Sequence, residues 1–120
     1  MSDDTPLAVL IGRQLSAVCF VQDYVQFQFD GYWLTALADP ILVREHRKMF
    51  RQEPSYRDTL CDQIREIVIA TEDNGVQLSV AFSNGATLIV PLDGNSTPGP
   101  EMAHLSGFNA MLNVWFRNEA

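Results

Sequence analysis

Apolar residues occupy alternate positions in two stretches of the chain, Tyr24-Val25-Gln26-Phe27-Gln28-Phe29-Asp30 and Val76-Gln77-Leu78-Ser79-Val80-Ala81-Phe82-Ser83. A period of two belongs to a β-strand with one dry and one wet face, so each stretch is predicted as a strand. Asp30-Gly31 and Asn84-Gly85 then fall where a tight hairpin needs positive φ, which Gly adopts freely and Asn or Asp tolerates. An apolar segment precedes each strand (Ala17 to Val21, Ile67 to Ala70), and another follows each turn (Trp33 to Leu37, Leu88 to Val90). The pattern predicts two three-stranded antiparallel meanders, residues 15–38 and 64–92, forming a pseudo-repeat. In that alignment Leu15 matches Ile64, Val18 matches Ile67, Phe20 matches Ile69, Phe29 matches Phe82 and Gly31 matches Gly85, with a short insertion after the first strand of the second copy.

The segments around Ala17 to Val21 and Ile67 to Ala70 are apolar on both faces, which predicts strands lying centrally or under a helix. The predicted core is Val18, Phe20, Val25, Phe27, Phe29, Ile67, Ile69, Leu78, Val80, Phe82, Leu88 and Val90. One curved sheet and a two-layer sandwich both satisfy the pattern. Between the meanders, Arg44-Glu45-His46-Arg47-Lys48-Met49-Phe50-Arg51 has helix-compatible composition, and Pro54 should interrupt it. Ser55 would cap a second short helix with Tyr56, Leu60 and Ile64 on one face, so residues 44–63 are predicted as a helical connector. Asp93 to Pro100 reads as a flexible stretch. Beyond it, Leu112, Val114 and Phe116 alternate with Asn113, Trp115 and Arg117, predicting a C-terminal strand within 108–117. The fold class is α+β, mainly antiparallel β.

At 120 residues the chain is a single domain, and 47% apolar with 19% charged residues is ordinary for a soluble globular protein. No apolar run reaches the roughly 18 residues of a membrane span. Met1-Ser2-Asp3-Asp4 is acidic where a signal peptide is basic, so the expected location is the cytoplasm, away from membranes. Without a secretory signal, the glycosylation sequon Asn95-Ser96-Thr97 carries no weight. Cys19 and Cys61 read as two buried thiols, since their spacing matches no zinc pattern.

Charge is unevenly distributed. Residues 44–57 hold five basic and two acidic side chains, a net of +3, which leaves −10 for the rest of a chain of net charge −7. A basic segment can contact phosphates. Here Glu45 and Glu53 interrupt it, no nucleic-acid motif accompanies it, and the acidic whole repels a polyanion. Pairing with acidic groups of the same chain or of another subunit is the better use.

Candidate chemistry is sparse. Neither His46 nor His104 lies in a Ser-His-Asp or Cys-His signature. Glu101 and His104 have an i, i+3 spacing found in some helical metal sites, but no second pair supplies further ligands. The acidic loops at Asp23 and at Glu72-Asp73-Asn74-Gly75 have the residues that turns prefer. No glycine-rich phosphate loop is present. No catalytic, cofactor-binding or metal-binding residue is therefore assigned. Tyr32, Trp33 and Trp115 are candidate contact residues, because Trp and Tyr dominate interface energetics; filling the core is the plainer alternative. With Arg47, Lys48 and Arg51 they form the predicted interaction surface.

The frame Leu10-Ile11-Gly12-x-x-Leu15-x-x-Val18, Phe27-x-Phe29-Asp30-Gly31-x-x-Leu34, Gly99-Pro100-Glu101 and Val114-Trp115 resembles that of small uncharacterised bacterial β-rich proteins. Some similar proteins sit beside toxin genes as immunity proteins. The resemblance implies a fold and a bacterial origin, and carries over no catalytic residue. Three function classes follow: a non-enzymatic protein-binding module, with an immunity-like form facing a basic partner; a homo-oligomeric structural or regulatory scaffold; and, least favoured, a small enzyme or ligand-binding domain.

Overall fold

A computed structural model of the chain describes residues 5–93, 99–108 and 110–117. After a 3-10 helix at Pro6–Leu10 come three strands, β1 (Leu15–Val21), β2 (Tyr24–Phe29) and β3 (Tyr32–Ala36), then a hairpin of β4 (Ile41–Arg44) and β5 (Arg47–Met49). One helix, α1 (Tyr56–Cys61), leads into β6 (Val68–Asp73), β7 (Gln77–Phe82) and β8 (Thr87–Pro91). A second hairpin follows, β9 (Glu101–Gly107) and β10 (Ala110–Phe116).

The strands form two five-stranded antiparallel sheets, ordered β1-β2-β3-β9-β10 and β5-β4-β8-β7-β6. Each meander thus lies in one sheet while the hairpin following it in sequence crosses to the other. Phe27, Phe29, Leu34 and Leu105 from the first sheet and Leu42, Leu78, Val80, Phe82 and Leu88 from the second are buried in one core. Alternation in β2 and β7 therefore reports the dry face correctly.

The predicted helix over Arg44 to Arg51 is instead the β4–β5 hairpin. Glu45 and His46 take φ of 53° and 64°, the two-residue turn whose twist matches its flanking strands. Pairing of Leu42 with Leu88 and with Met49 buries all three, and that tertiary gain overrides helix-compatible composition. Only the second half of the predicted connector is helical, with Tyr56 and Leu60 buried. The Asp30-Gly31 turn has positive φ at both residues, whereas at Asn84-Gly85 only Gly85 does. Asn84 acts through its side chain, which accepts from Ala86 N–H at 3.0 Å and donates to the buried Gln63 at 2.8 Å.

The starts of the two meanders bond to each other. Leu15 N–H donates to Glu66 C=O (3.0 Å) and Val68 N–H to Arg13 C=O (2.9 Å); Gly12 N–H donates to Val68 C=O and Arg65 N–H to Leu15 C=O, both at 2.8 Å. Gln14 and Ile67 form the bridge between them. Leu15 opposes Phe29, as Val68 opposes Phe82, and both ladders shift register immediately afterwards, at Leu15/Ala17 and Val68/Ala70. Leu15 and Val68 thus hold equivalent places in their ladders, whereas Ile64 lies before β6.

That shift explains the core residues misplaced from sequence. β1 and β6 are outer strands, not central ones. Ile67 and Ile69 are exposed, at 37% and 59%, while Val18 and Phe20 are half-buried against the core. Cys19 is half-buried and Cys61 exposed, so the two are not the buried thiols expected. Residues 94–98, which hold the sequon and most of the stretch read as flexible, lie outside the described residues.

Candidate functional site

Among the described residues, the β9–β10 hairpin carries the most exposed apolar surface, with the half-buried Tyr32 and Trp33 of β3 beside it. Gly107 ends β9 against Tyr32, and a Cβ there would stand 2.7 Å from Tyr32 Cδ1, so only glycine permits the contact. Phe108 follows with φ of 52° and turns its ring outward. The Tyr32 ring meets Phe108 edge to face, with centroids 5.1 Å apart at 88°, a favoured aromatic geometry. Arg13 places its guanidinium over the Tyr32 ring, 5.2 Å from the centroid. Trp33, Gly107, Phe108 and Met111 line an open depression at this end of the sheet.

β10 borders the depression and is the last strand of its sheet. From Ala110 to Phe116 it has no charged residue. Phe108 is 70% exposed, Met111 57%, Leu112 43% and Phe116 60%. The sequence puts Leu112, Val114 and Phe116 on one apolar side and Trp115 on a mixed one; in the structure Leu112 and Phe116 are exposed and Trp115 is the buried residue. Register shifts at Met111/Asn113 and Trp115/Phe116 break simple alternation, which is why the pattern misleads here. Trp115 donates from Nε1 to Asp73 Oδ2 at 2.8 Å, tying β10 to β6 of the other sheet. It is therefore a core and seam residue and not the contact residue expected.

Of the other residues in the predicted interaction surface, Tyr32 and Trp33 lie at the depression. Arg47 and Lys48 lie on β5 of the other sheet, with Arg51 just beyond it. Two of these cations are satisfied within the chain: Arg47 pairs with Glu53, and Arg51 Nη1 with Asp39 Oδ1 at 2.7 Å. The hydrogen bond and charge of Asp39 push the Arg51 pKa up. Arg44 and Arg47 face each other across the hairpin, and with Met49 and Thr59 they line a groove beside α1. The sequence missed Phe108, Met111, Leu112 and Phe116; an uncharged run in a strand at the end of the chain was their available signal.

Glu101 and His104 lie on β9, not on a helical turn. His104 Nε2 stands 3.5 Å from Glu101 Oε1 with no hydrogen-bond partner. Among the described residues no group of three or more His, Cys, Asp or Glu side chains gathers to hold a metal. Burial, with the Asp58 and Asp62 carboxylates, pushes the Cys61 thiol up, away from the thiolate a nucleophile needs. Among the described residues no helix is long and apolar enough to cross a membrane.

No family model matches the chain, and neither the curated proteins nor the solved structures contain a match to it.

Proposed function

We propose that this chain is a protein-binding module, built from two copies of one meander-and-hairpin unit, whose contact surface is the β9–β10 ribbon with Tyr32 and Trp33 beside it. The duplication is supported by the paired bonds about Gln14 and Ile67, in which Leu15 corresponds to Val68 and Arg13 to Glu66. The function is carried by one observation: Phe108, Met111, Leu112 and Phe116 stand exposed along β10 and the turn before it, a run of sequence with no charged residue. At about 200 Å² for a full side chain of this size, their exposures total on the order of 450 Å², the size of the largest apolar patch on a typical monomer, about 300–600 Å², which is often functional. Immunity-like action, in which a small acidic protein covers a basic toxin, is one form of this reading; the net charge of −7 would speed that encounter.

A photo-crosslinking amino acid placed at Leu112, and separately at Val76 as an exposed control in the β6–β7 turn, tests the reading in the native host. A protein adduct is expected at Leu112 and not at Val76. Absence of any protein adduct at Leu112 overturns it.

A further inference from the structure

We infer that Asn74 is a site of spontaneous deamidation built into the β6–β7 turn, and that its product loosens the bond by which Asp73 ties β6 to Trp115 of the other sheet. This is a modification of the chain itself, independent of any partner.

The chain holds two Asn-Gly pairs, Asn74-Gly75 and Asn84-Gly85. In such a pair the glycine nitrogen closes a five-membered ring onto the side-chain amide carbon of asparagine, because no Cβ shields that nitrogen. The β6–β7 turn supplies what the step needs. Asn74 Oδ1 accepts from Val76 N–H and from Gln77 N–H, both at 2.9 Å. Two fixed donors polarise the amide and stand where the oxyanion forms on attack, an arrangement that stabilises tetrahedral intermediates. Gly75 N–H donates to Asp73 Oδ1 at 3.1 Å, within the reach of a general base. Asn74, Gly75 and Val76 are all exposed, and nothing stands within 4 Å of where a Gly75 Cβ would be, so water reaches the amide. Asn84 is held differently. Its Oδ1 accepts from Ala86 N–H, and its Nδ2, the leaving group, donates at 2.8 Å to Gln63, which is 1% exposed. Gly85 N–H donates at 3.0 Å to Phe82 C=O, a carbonyl that takes up no proton. Loss of ammonia there would leave a buried acceptor unpaired.

The proton of Gly75 N–H passes to the Asp73 carboxylate, and the nitrogen electron pair forms the bond to Asn74 Cγ while Oδ1 takes the charge. Collapse of that intermediate breaks the Cγ–Nδ2 bond, and Nδ2 leaves with the proton as ammonia. Water then opens the succinimide at either carbonyl and leaves aspartate or isoaspartate at position 74, so amide and water have become carboxylate and ammonium. While the ring is closed, Gly75 has no N–H to give Asp73. Aspartate sets a second negative charge beside Asp73. Isoaspartate also adds a methylene to the backbone of the turn, which draws the N–H groups of Val76 and Gln77 away from the acceptor they share. Asp73 is steadied through Oδ1 by this turn and holds Trp115 Nε1 through Oδ2 at 2.8 Å. A change at position 74 therefore reaches β10 through one side chain.

Peptide mapping of the whole protein, aged at mildly alkaline pH in native buffer and in urea, reads both sites at once, with electron-transfer fragmentation separating aspartate from isoaspartate. In urea the two Asn-Gly pairs should convert at similar rates, since local sequence alone then acts. In the native protein Asn74 should outpace Asn84 by about tenfold or more, because the fold favours the reaction at one site and restrains it at the other. In a Trp33→Phe background, the emission of Trp115 should shift to the red as conversion proceeds, whereas Asn74→Ser protein aged alike should keep its emission. Equal native rates at the two sites, or slower conversion at Asn74 in the native protein than in urea, overturns the modification site. Full conversion at Asn74 with unchanged Trp115 emission overturns its link to β10.

Discussion

Phe29 and Phe82 stack with their ring centroids 6.4 Å apart and 16° between their planes, each ring closing a strand of a different sheet. Both are fully buried. The stack sits beside the ladder positions where Leu15 meets Phe29 and Val68 meets Phe82, so it joins the two sheets at the point where the two meanders start.

Truncating either ring to Ala should cost about 3–5 kcal/mol, the transfer energy of a buried aromatic plus the cavity left behind. In a double-mutant cycle by denaturant unfolding, the pair should show a coupling of about 0.5–1.5 kcal/mol for the ring contact itself. Additive costs would show that the two sheets do not meet through these rings.

Arg65 holds φ of +87° where Gly12 holds +84°, and each donates its N–H in the paired bonds between the meanders. A left-handed backbone costs a side-chain-bearing residue about 1–2 kcal/mol. Arg65→Gly should therefore raise the stability by about 1 kcal/mol, although part of the gain is lost to the greater freedom of glycine in the unfolded chain. Gly12→Ala should lower stability by a similar amount. The pair of midpoints in urea checks both signs.

The sequence made the centre of the fold legible and left its margins obscure, for physical reasons. Tyr24 to Phe29 and Gln77 to Phe82 lie inside their sheets with one wet face, so period-two alternation maps onto burial. Arg44 to Met49 carries little local signal, because its strands exist through pairing with Leu88, a partner far along the chain. Ile69 and Leu112 are the unpaired residues inside register shifts, where one extra residue turns the pattern to the opposite face. The candidate site inherits that difficulty. Tyr32 and Trp33 were identified from residue type, whereas Phe108, Met111 and Phe116 owe their exposure to strand order, which composition does not reveal.

Gly107→Ala tests how the ribbon is held. Its Cβ would meet the Tyr32 ring at 2.7 Å, and Tyr32 in turn supports Phe108. Overpacking of this kind costs about 1–3 kcal/mol. Protein crosslinking through Leu112 should weaken as well, since the tip of the hairpin must shift. A variant with unchanged midpoint and unchanged crosslinking would show that Tyr32 yields without moving the hairpin.

The last expectation concerns pH. Burial, reinforced by the Asp39 carboxylate, pushes the Tyr56 phenol well above its ordinary value, while its O–H donates to Pro40 C=O beneath α1. The folded state thus favours the protonated phenol more than the unfolded state does. The resulting stability is fully present below the unfolded value of about 10 and is lost as pH rises from there toward the raised folded value. Unfolding midpoints measured from neutral pH to above 10 should fall at the alkaline end. Tyr56→Phe removes the titrating group and one hydrogen bond: it should lower stability at neutral pH by about 1 kcal/mol and flatten the alkaline loss. If the variant and the wild type decline in parallel above pH 10, another group sets the alkaline limit and α1 is not anchored through the neutral phenol.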